Sequence, residues 1–405
     1  MILDLEIENF MSVRDPQRID LTVGAAVDDS DRVAPAWPGA AGGVSKVAAF
    51  FGPNASGKST VLRALWFLAA FVKDSFQLPP DASLHCETFG DCANEVKPTR
   101  FSISFPGPEV ILEQPSFDPN GACCRYNYEL LLTRKEGRRV VLSESLHYWP
   151  TMTKRKTRLF ERGPTGEVAV GKEFHVSKHR AVLKSILRDN ASVVSTLAQL
   201  DHGPSQMFRR AAGQIFSNMF MEKAVVDETA MLRYYQANPQ VLAAVNNDLK
   251  RIDLGIRSMS IQLGPAGPVA AFEHEGLSKA IPLNLESHGT RQFLQIYPWI
   301  RGALDSGGIA ILDEMDAAIH PHVLPEILRW FYSSKSNPHG AQLWMSCQNA
   351  TLLEELSKEE IFFCEKDRAG ATSVYGLREI AGVRRVDNFY RKYMSGTYGA
   401  VPTIG

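Results

Sequence analysis

The sequence predicts an α/β fold: a P-loop sheet assembled from both ends of the chain, an antiparallel β subdomain, and a helical insertion between them. Three observations predict it. An apolar run, Val47–Phe51, enters the glycine-rich stretch Gly52-Pro53-Asn54-Ala55-Ser56-Gly57-Lys58-Ser59, which opens a segment of helical periodicity. A second apolar run, Ile309–Leu312, ends in Asp313-Glu314 near the other end of the chain. Between the two, short β patterns over 101–142 give way to helical patterns over 178–252.

The elements follow in order. Alternation at Leu3, Leu5 and Ile7 reads as a strand, a Pro/Gly/Ala-rich loop covers 34–43, and 47–51 is the strand that enters the glycine-rich loop. From residue 58 to 71, Val61, Leu62, Leu65, Leu68 and Ala69 stand at helical spacing. Residues 101–105, 126–132 and 140–142 read as antiparallel strands. Helical periodicity over 182–187, 207–221 and 241–252 is broken at Gly203-Pro204 and Asn238-Pro239. A helix over 290–304, a turn at Ser306-Gly307-Gly308 and strands at 309–312, 342–346 and 361–365 restore the strand and helix alternation. The expected division is an N-terminal lobe over 1–162, a mostly helical insertion over 163–275 and a C-terminal lobe over 276–405.

Composition narrows the class of function. With 44% apolar and 22% charged residues the chain buries a sizeable core, and 44 basic against 45 acidic residues leave no global field to recruit nucleic acid or an anionic membrane. Binding of that kind would need a local patch. The six cysteines form no CxxC pair, which argues against a zinc site, and the N-terminus lacks the charged and apolar regions of a signal peptide. A reducing, cytoplasmic setting is expected. The longest apolar run, 64–72, is far short of the ~20 residues of a membrane span. No membrane partner is expected.

The glycine-rich stretch matches G-x-x-x-x-G-K-[ST] in its strand-to-helix context. Glycines let backbone N–H groups turn inward around phosphate oxygens, and the helix N-terminus adds its positive dipole end. Lys58 can set a point charge between β- and γ-phosphates, Ser59 can ligate Mg²⁺, and Thr60 continues the same turn. ATP and Mg²⁺ are therefore the expected cofactors. Asp313, at the end of a buried strand, fits a Walker B carboxylate on the Mg²⁺ side, and Glu314 fits a general base for the attacking water. Most of the chain separates Lys58 from Asp313, so an insertion must lie between the halves.

Ser287-His288-Gly289-Thr290-Arg291, a helix-length before Walker B, resembles the signature motif of ABC-type ATPase heads of the SMC and RecF group. A serine that merely caps the following helix would look the same. The resemblance implies that two protomers bind ATP between them, Ser287 and Gly289 of one chain facing the nucleotide of the other. It makes Met315-Asp316 a D-loop with Asp316 near the dimer seam. Nearly the whole chain is similar to the AAA15 family of predicted ATPases, related to overcoming-lysogenization-defect and abortive-infection ATPases of phage defence. The matching segments are Ile7-Glu8-Asn9-Phe10-Met11-Ser12, Leu159-Phe160-Glu161-Arg162, Asp253-Leu254-Gly255-Ile256, His320-Pro321, Val383-Arg384-Arg385 and residues 391–402. One position departs. ABC-type heads carry a switch histidine after the strand that follows Walker B, and Gln348 stands there in this chain. An amide can hold a water or a phosphate oxygen but takes up no proton near neutral pH, so slow hydrolysis is expected.

The resemblance further implies a homodimer or higher even-numbered oligomer and a separate effector chain, a nuclease toxin, with a phage-derived trigger. No nuclease motif is seen in this chain. Nucleic acid is a second candidate partner, through the basic cluster Lys154-Arg155-Lys156-Thr157-Arg158 with Arg162 and through Arg384-Arg385 and Arg391-Lys392. Such runs also serve as plain solvated faces. His320 and His322 lack an acidic or cysteine partner at metal-site spacing.

Overall fold

The structure, a computed structural model, describes residues 1–27, 29–109, 122–219, 228–252, 255–265, 267–317, 319 and 321–402. Its middle layer is a six-stranded sheet in the order Ile215–Ser217, Ile309–Leu312, Gln342–Ser346, Val47–Phe51, Ile361–Lys366 and Thr372–Gly376. All neighbours run parallel except the last pair, which is antiparallel. Parallel strands covered on both faces read as continuous apolar runs, and Val47–Phe51 and Gln342–Ser346 are buried at every position. Alternate residues serve two separate cores. Ala48, Phe50, Ile311 and Trp344 face one, while Val47, Ala49, Phe51, Leu312 and Met345 face the other.

The first core lies between this sheet and a seven-stranded antiparallel sheet in the order Val168–Val170, Thr157–Arg162, Arg138–Trp149, Cys123–Lys135, Thr99–Pro108, Asp4–Glu8 and Gln17–Asp20. Period-two alternation decides which face of it turns inward: Cys124, Tyr126, Tyr128, Leu130 and Leu132 are buried and their neighbours half-exposed. The P-loop helix Lys58–Asp74 contributes Val61, Leu62, Ala64, Leu65, Phe67, Leu68 and Phe71 to this core. A helix apolar over so much of its circumference needs cover on more than one side. On the other face of the parallel sheet, the helices Pro239–Ile252, His288–Ser306 and Leu324–Tyr332 close the second core.

The described residues of 163–275 divide between the two cores, Val193, Leu197 and Phe208 joining the first and Leu232, Val245 and Phe272 the second. The helices Val193–Ala198 and Gly203–Gly213 pack on the P-loop helix, and Ile215–Ser217 extends the parallel sheet beside the Walker B strand. The periodicity over 207–221 overran this switch because a three-residue strand is too short to show period two. Gly203-Pro204 starts a helix, as proline at an N-terminus should. Beyond Pro239–Ile252, the hairpin Ile256–Gly264 and Gly267–His274 with Ile281–Pro282 makes a small antiparallel sheet at the end of the expected mostly helical insertion.

The two ends of the chain are stitched together. Ile2 N donates to Gln342 Oε1 at 2.6 Å, and Gln342 Nε2 donates to the Ile2 and Ser45 carbonyls. The C-terminal segment is built in as well, since Tyr393, Tyr398 and Ala400 are buried and the Phe363 ring stacks on Tyr393 at 5.2 Å. Among the described residues no helix is long and apolar enough to cross a membrane.

Candidate functional site

The P-loop is shaped by two glycines that no other residue can replace. Gly52 has φ 147°, and a Cβ there would lie 2.1 Å from the Cys364 carbonyl oxygen. Gly57, the N-cap of the P-loop helix, has φ 106°, and a Cβ there would lie 2.2 Å from Thr372 Oγ1. Lys58 curls back over the loop, donating to the Gly52 and Pro53 carbonyls at 2.7 and 2.9 Å. Burial lowers the pKa of its ammonium. The Ser56 hydroxyl is buried without a partner among the described residues. An orphaned donor inside a loop of inward-turned amides is what an anionic oxygen would satisfy.

Walker B closes on the loop from the neighbouring strands. Ser59 Oγ and Asp313 Oδ1, 254 positions apart in sequence, lie 2.9 Å apart. Ser346 Oγ donates to the same Asp313 oxygen at 2.5 Å and accepts the Glu314 N–H at 2.7 Å. Asn218, just past the edge strand, grips the Asp313 backbone on both sides: its Oδ1 accepts the Asp313 N–H at 2.8 Å and its Nδ2 donates to the Asp313 carbonyl at 2.9 Å. Held this way, Glu314 adopts φ 50° and is exposed. A non-glycine residue in the left-handed region persists only where its surroundings impose it. Ser59 and Asp313 offer a hydroxyl and a carboxylate oxygen together, a donor pair that suits a hard divalent cation such as Mg²⁺.

A cavity of about 250 Å³ joins these groups. Asn54, Ala55, Ser56, Gly57, Lys58, Ser59 and Thr60 line its floor, Glu314, Ser346 and Gln348 one wall, and Met11, Ser12 and Lys366 the other. Asp316 is not at this cavity. Its Oδ2 accepts the N–H groups of Gln348 and Asn349 at 2.8 and 2.5 Å, so it sets the loop that carries Gln348. The structure thus brings together the P-loop, Asp313, Glu314 and Gln348, with Asp316 behind them.

Ser287 and Gly289 stand apart from the cavity of their own chain. Ser287 is exposed and caps the helix His288–Ser306, its Oγ accepting the Thr290 N–H at 3.0 Å. The preceding Glu286 is buried and bonded to His274 Nε2 at 2.7 Å, which fastens the cap to the small sheet. Of the basic residues, Lys154, Arg155 and Lys156 are exposed at a hairpin end. Arg162 is not part of that patch: it is buried, 3.8 Å from Glu144, and donates to the Ala191 and Arg188 carbonyls. Arg385 pairs with Glu359 and Lys392 with Asp387. His320 lies outside the described residues, as do Asp253 and Leu254.

Sequence reasoning missed Ser12, Asn218, Ser346 and Thr372. Thr372 Oγ1 donates to the Ser56 carbonyl and lies 2.9 Å from Ser12 Oγ, which in turn lies 2.9 Å from Thr60 Oγ1. This hydroxyl chain ties both ends of the molecule to the first turn of the P-loop helix. Ser346 carried a signal as the polar end of an apolar strand run, and Ser12 as the end of the matching segment Ile7-Glu8-Asn9-Phe10-Met11-Ser12.

Among solved structures the chain is similar to an SMC head bound to the C-winged helix domain of ScpA, at 12% identity over 92% of this chain and 97% of that one, with TM-score 0.46. It is also similar to the SMC head domain from Thermotoga maritima, at 15% identity over 93% and 98%, with TM-score 0.43. A third is an SMC head domain with an extended coiled coil bound to the C-terminal domain of ScpA, derived from Pyrococcus furiosus, at 11% identity over 93% and 97%, with TM-score 0.44. No curated protein matches the chain. The protein family described as "AAA domain, putative AbiEii toxin, Type IV TA system" matches residues 47–352. That span holds the P-loop strand, Asn218, the Ser287 cap, Walker B and Gln348, and the chain belongs to this AAA-domain family.

Proposed function

We propose that the chain is an ABC-type ATPase that closes as a homodimer around two MgATP molecules and works as a sensor and scaffold, controlling a separate effector, a nuclease toxin, in bacterial anti-phage defence. The observation that carries the nucleotide reading is the 2.9 Å contact between Ser59 and Asp313 beneath the Ser56 to Lys58 loop. Lys58, buried and held by two loop carbonyls, is placed to exchange those partners for phosphate oxygens. Ser59 and Asp313 would hold Mg²⁺, which when bound neutralises charge on the β- and γ-phosphates. Glu314 takes the proton of the attacking water, with Ser346 fixing its backbone. Gln348 orients that water or the γ-phosphate without accepting a proton, so turnover is slow.

The dimer reading is supported by the exposed Ser287 cap, whose helix carries no acidic residue in its first turn. Closure follows because contacts between Ser287 and the other protomer's nucleotide exist only in the closed state. The family description, which speaks of a toxin and a type IV toxin–antitoxin system, favours a role in such a module. The test compares the wild type, Glu314→Gln and Lys58→Ala by sedimentation with and without MgATP. Glu314→Gln should become a stable dimer with ATP and Lys58→Ala should stay unchanged. Identical behaviour of all three would end the reading.

The exposed Lys154, Arg155 and Lys156 favour a second reading, a RecF-like ATPase that clamps duplex DNA. It requires DNA affinity that falls steeply with added salt and DNA-stimulated hydrolysis.

A further inference from the structure

The cavity has two ends, and only one is explained by phosphate chemistry. Glu314, Ser346 and Gln348 mark the end where the terminal phosphate would be attacked. The opposite wall is Met11, Ser12 and Lys366. Ser12 lies 2.9 Å from Thr60, one residue beyond the Lys58-Ser59 pair. With the β- and γ-phosphates at that pair, this wall would face the α-phosphate and nucleoside.

That wall is built before any ligand arrives. Asn9 and Met11 both hold positive φ, at 50° and 49°. Asn9 is buried, and its Nδ2 donates to the Asn94 and Lys97 carbonyls at 2.8 and 3.0 Å while its Oδ1 accepts the Phe89 N–H at 3.1 Å. Thr99 Oγ1 donates to the Asn9 carbonyl at 2.8 Å, and Met11 N donates to the Glu87 carbonyl at 2.8 Å. Two strained residues held by five hydrogen bonds form an over-determined loop, the sort of strain that accompanies a ligand clamp. Its product is a Met11 side chain packed on the first core on one side and open to the cavity on the other. Lys366 stands at the rim, paired in register with Thr372, which itself rests on Gly57.

This wall gives a base a face but no edge-reading groups. The Met11 thioether is polarizable and adapts to any π surface. Ser12 has its hydroxyl committed to Thr60 and Thr372. Lys366 is exposed and flexible, suited to ribose or α-phosphate oxygens and not to a fixed base edge. Telling one purine from another takes fixed donors and acceptors that are left unpaired by the wrong base. We infer that Met11 is the base platform and Lys366 the nucleoside-side cation, and that the substrate class is nucleoside triphosphates taken with little discrimination between adenine and guanine. The inference rests on the nucleotide reading above.

Calorimetric titration of the full chain with MgATP, MgGTP and magnesium tripolyphosphate tests it. Dissociation constants for ATP and GTP should agree within about fivefold, because no edge contact separates them. Met11→Ala should weaken both nucleotides equally, by about tenfold, and leave tripolyphosphate unchanged, since that probe has no base to support. Met11→Leu should recover most of the loss. A preference for either nucleotide above about fivefold would overturn the inference, as would an Asn54→Ala variant that shifts the ATP to GTP ratio. Equal weakening of tripolyphosphate by Met11→Ala would also overturn it, because Met11 would then act only through the loop. If Lys58→Ala left all three probes binding as before, the nucleotide reading itself would be the one to fail.

Discussion

Residues 313 and 314 share one serine. Ser346 donates to the Asp313 carboxylate and receives the Glu314 N–H, so it positions the proposed cation ligand and the proposed base together. Ser346→Ala should lower turnover about tenfold with little loss of stability, read by steady-state kinetics beside thermal melting. At Gly57 the expectation is sharper. Gly57→Ala adds a Cβ in a left-handed conformation against Thr372, and MgATP affinity should fall by more than tenfold. Lys58 gives a pH dependence. Burial lowers its pKa, so the neutral amine appears at lower pH than for an ordinary lysine, and nucleotide affinity should fall as pH rises through that lowered value. A profile flat up to the usual lysine range would contradict the buried geometry. These residues were legible to different degrees. Lys58, Asp313 and Glu314 announce themselves because the chemistry is local to each motif, whereas Asn218 and Thr372 act through partners 95 and 316 positions away.

Elements were readable where their period was long enough to repeat. The P-loop helix and the strands 47–51, 309–312 and 342–346 lie where periodicity placed them. Ile215–Ser217 did not, because what makes it a strand is the Walker B strand alongside. That edge strand delivers Asn218. Asn218→Ala should strip two hydrogen bonds from the Asp313 backbone, cost about 1–3 kcal/mol and lower turnover. Unchanged stability and rate would show that the edge strand is not needed for the site. The helix Gly203–Gly213 begins at His202, whose Nδ1 accepts from Ser205 and whose Nε2 donates to the Phe174 carbonyl at 2.6 Å. Burial is the main cause that pushes its pKa down to about 4. Neutral His202 therefore supports the fold above the ordinary histidine value near 6.5, and that support is lost as pH falls from there toward about 4. By linkage the loss approaches roughly 3 kcal/mol, and His202→Gln should flatten the acid limb of the stability profile measured by urea unfolding.

For the whole molecule, the proposed composite site makes a prediction no single chain can imitate. Chains carrying Lys58→Ala and chains carrying Ser287→Arg should each be inactive alone, while a mixture should recover part of the activity through the one intact composite site of each heterodimer. The expected ceiling is about half the wild-type rate per heterodimer. No recovery in the mixture would mean that Ser287 serves only its own helix. The overall plan was visible in the sequence as far as two distant halves sharing a site. The partition into two cores was not, because a strand buried on both faces hides which residue faces which side.

The stitch between Ile2 and Gln342 has a consequence for synthesis on the ribosome. The nucleotide loop emerges early, yet the strands that flank it, Gln342–Ser346 and Ile361–Lys366, are among the last parts of the 405-residue chain to be translated. A nascent polypeptide halted before residue 342 leaves Val47–Phe51 without both neighbours, an apolar ribbon with two bare edges. Premature termination should accordingly yield aggregates, never a fragment that titrates cellular ATP, and chaperone dependence should end abruptly once the final hundred or so codons are read.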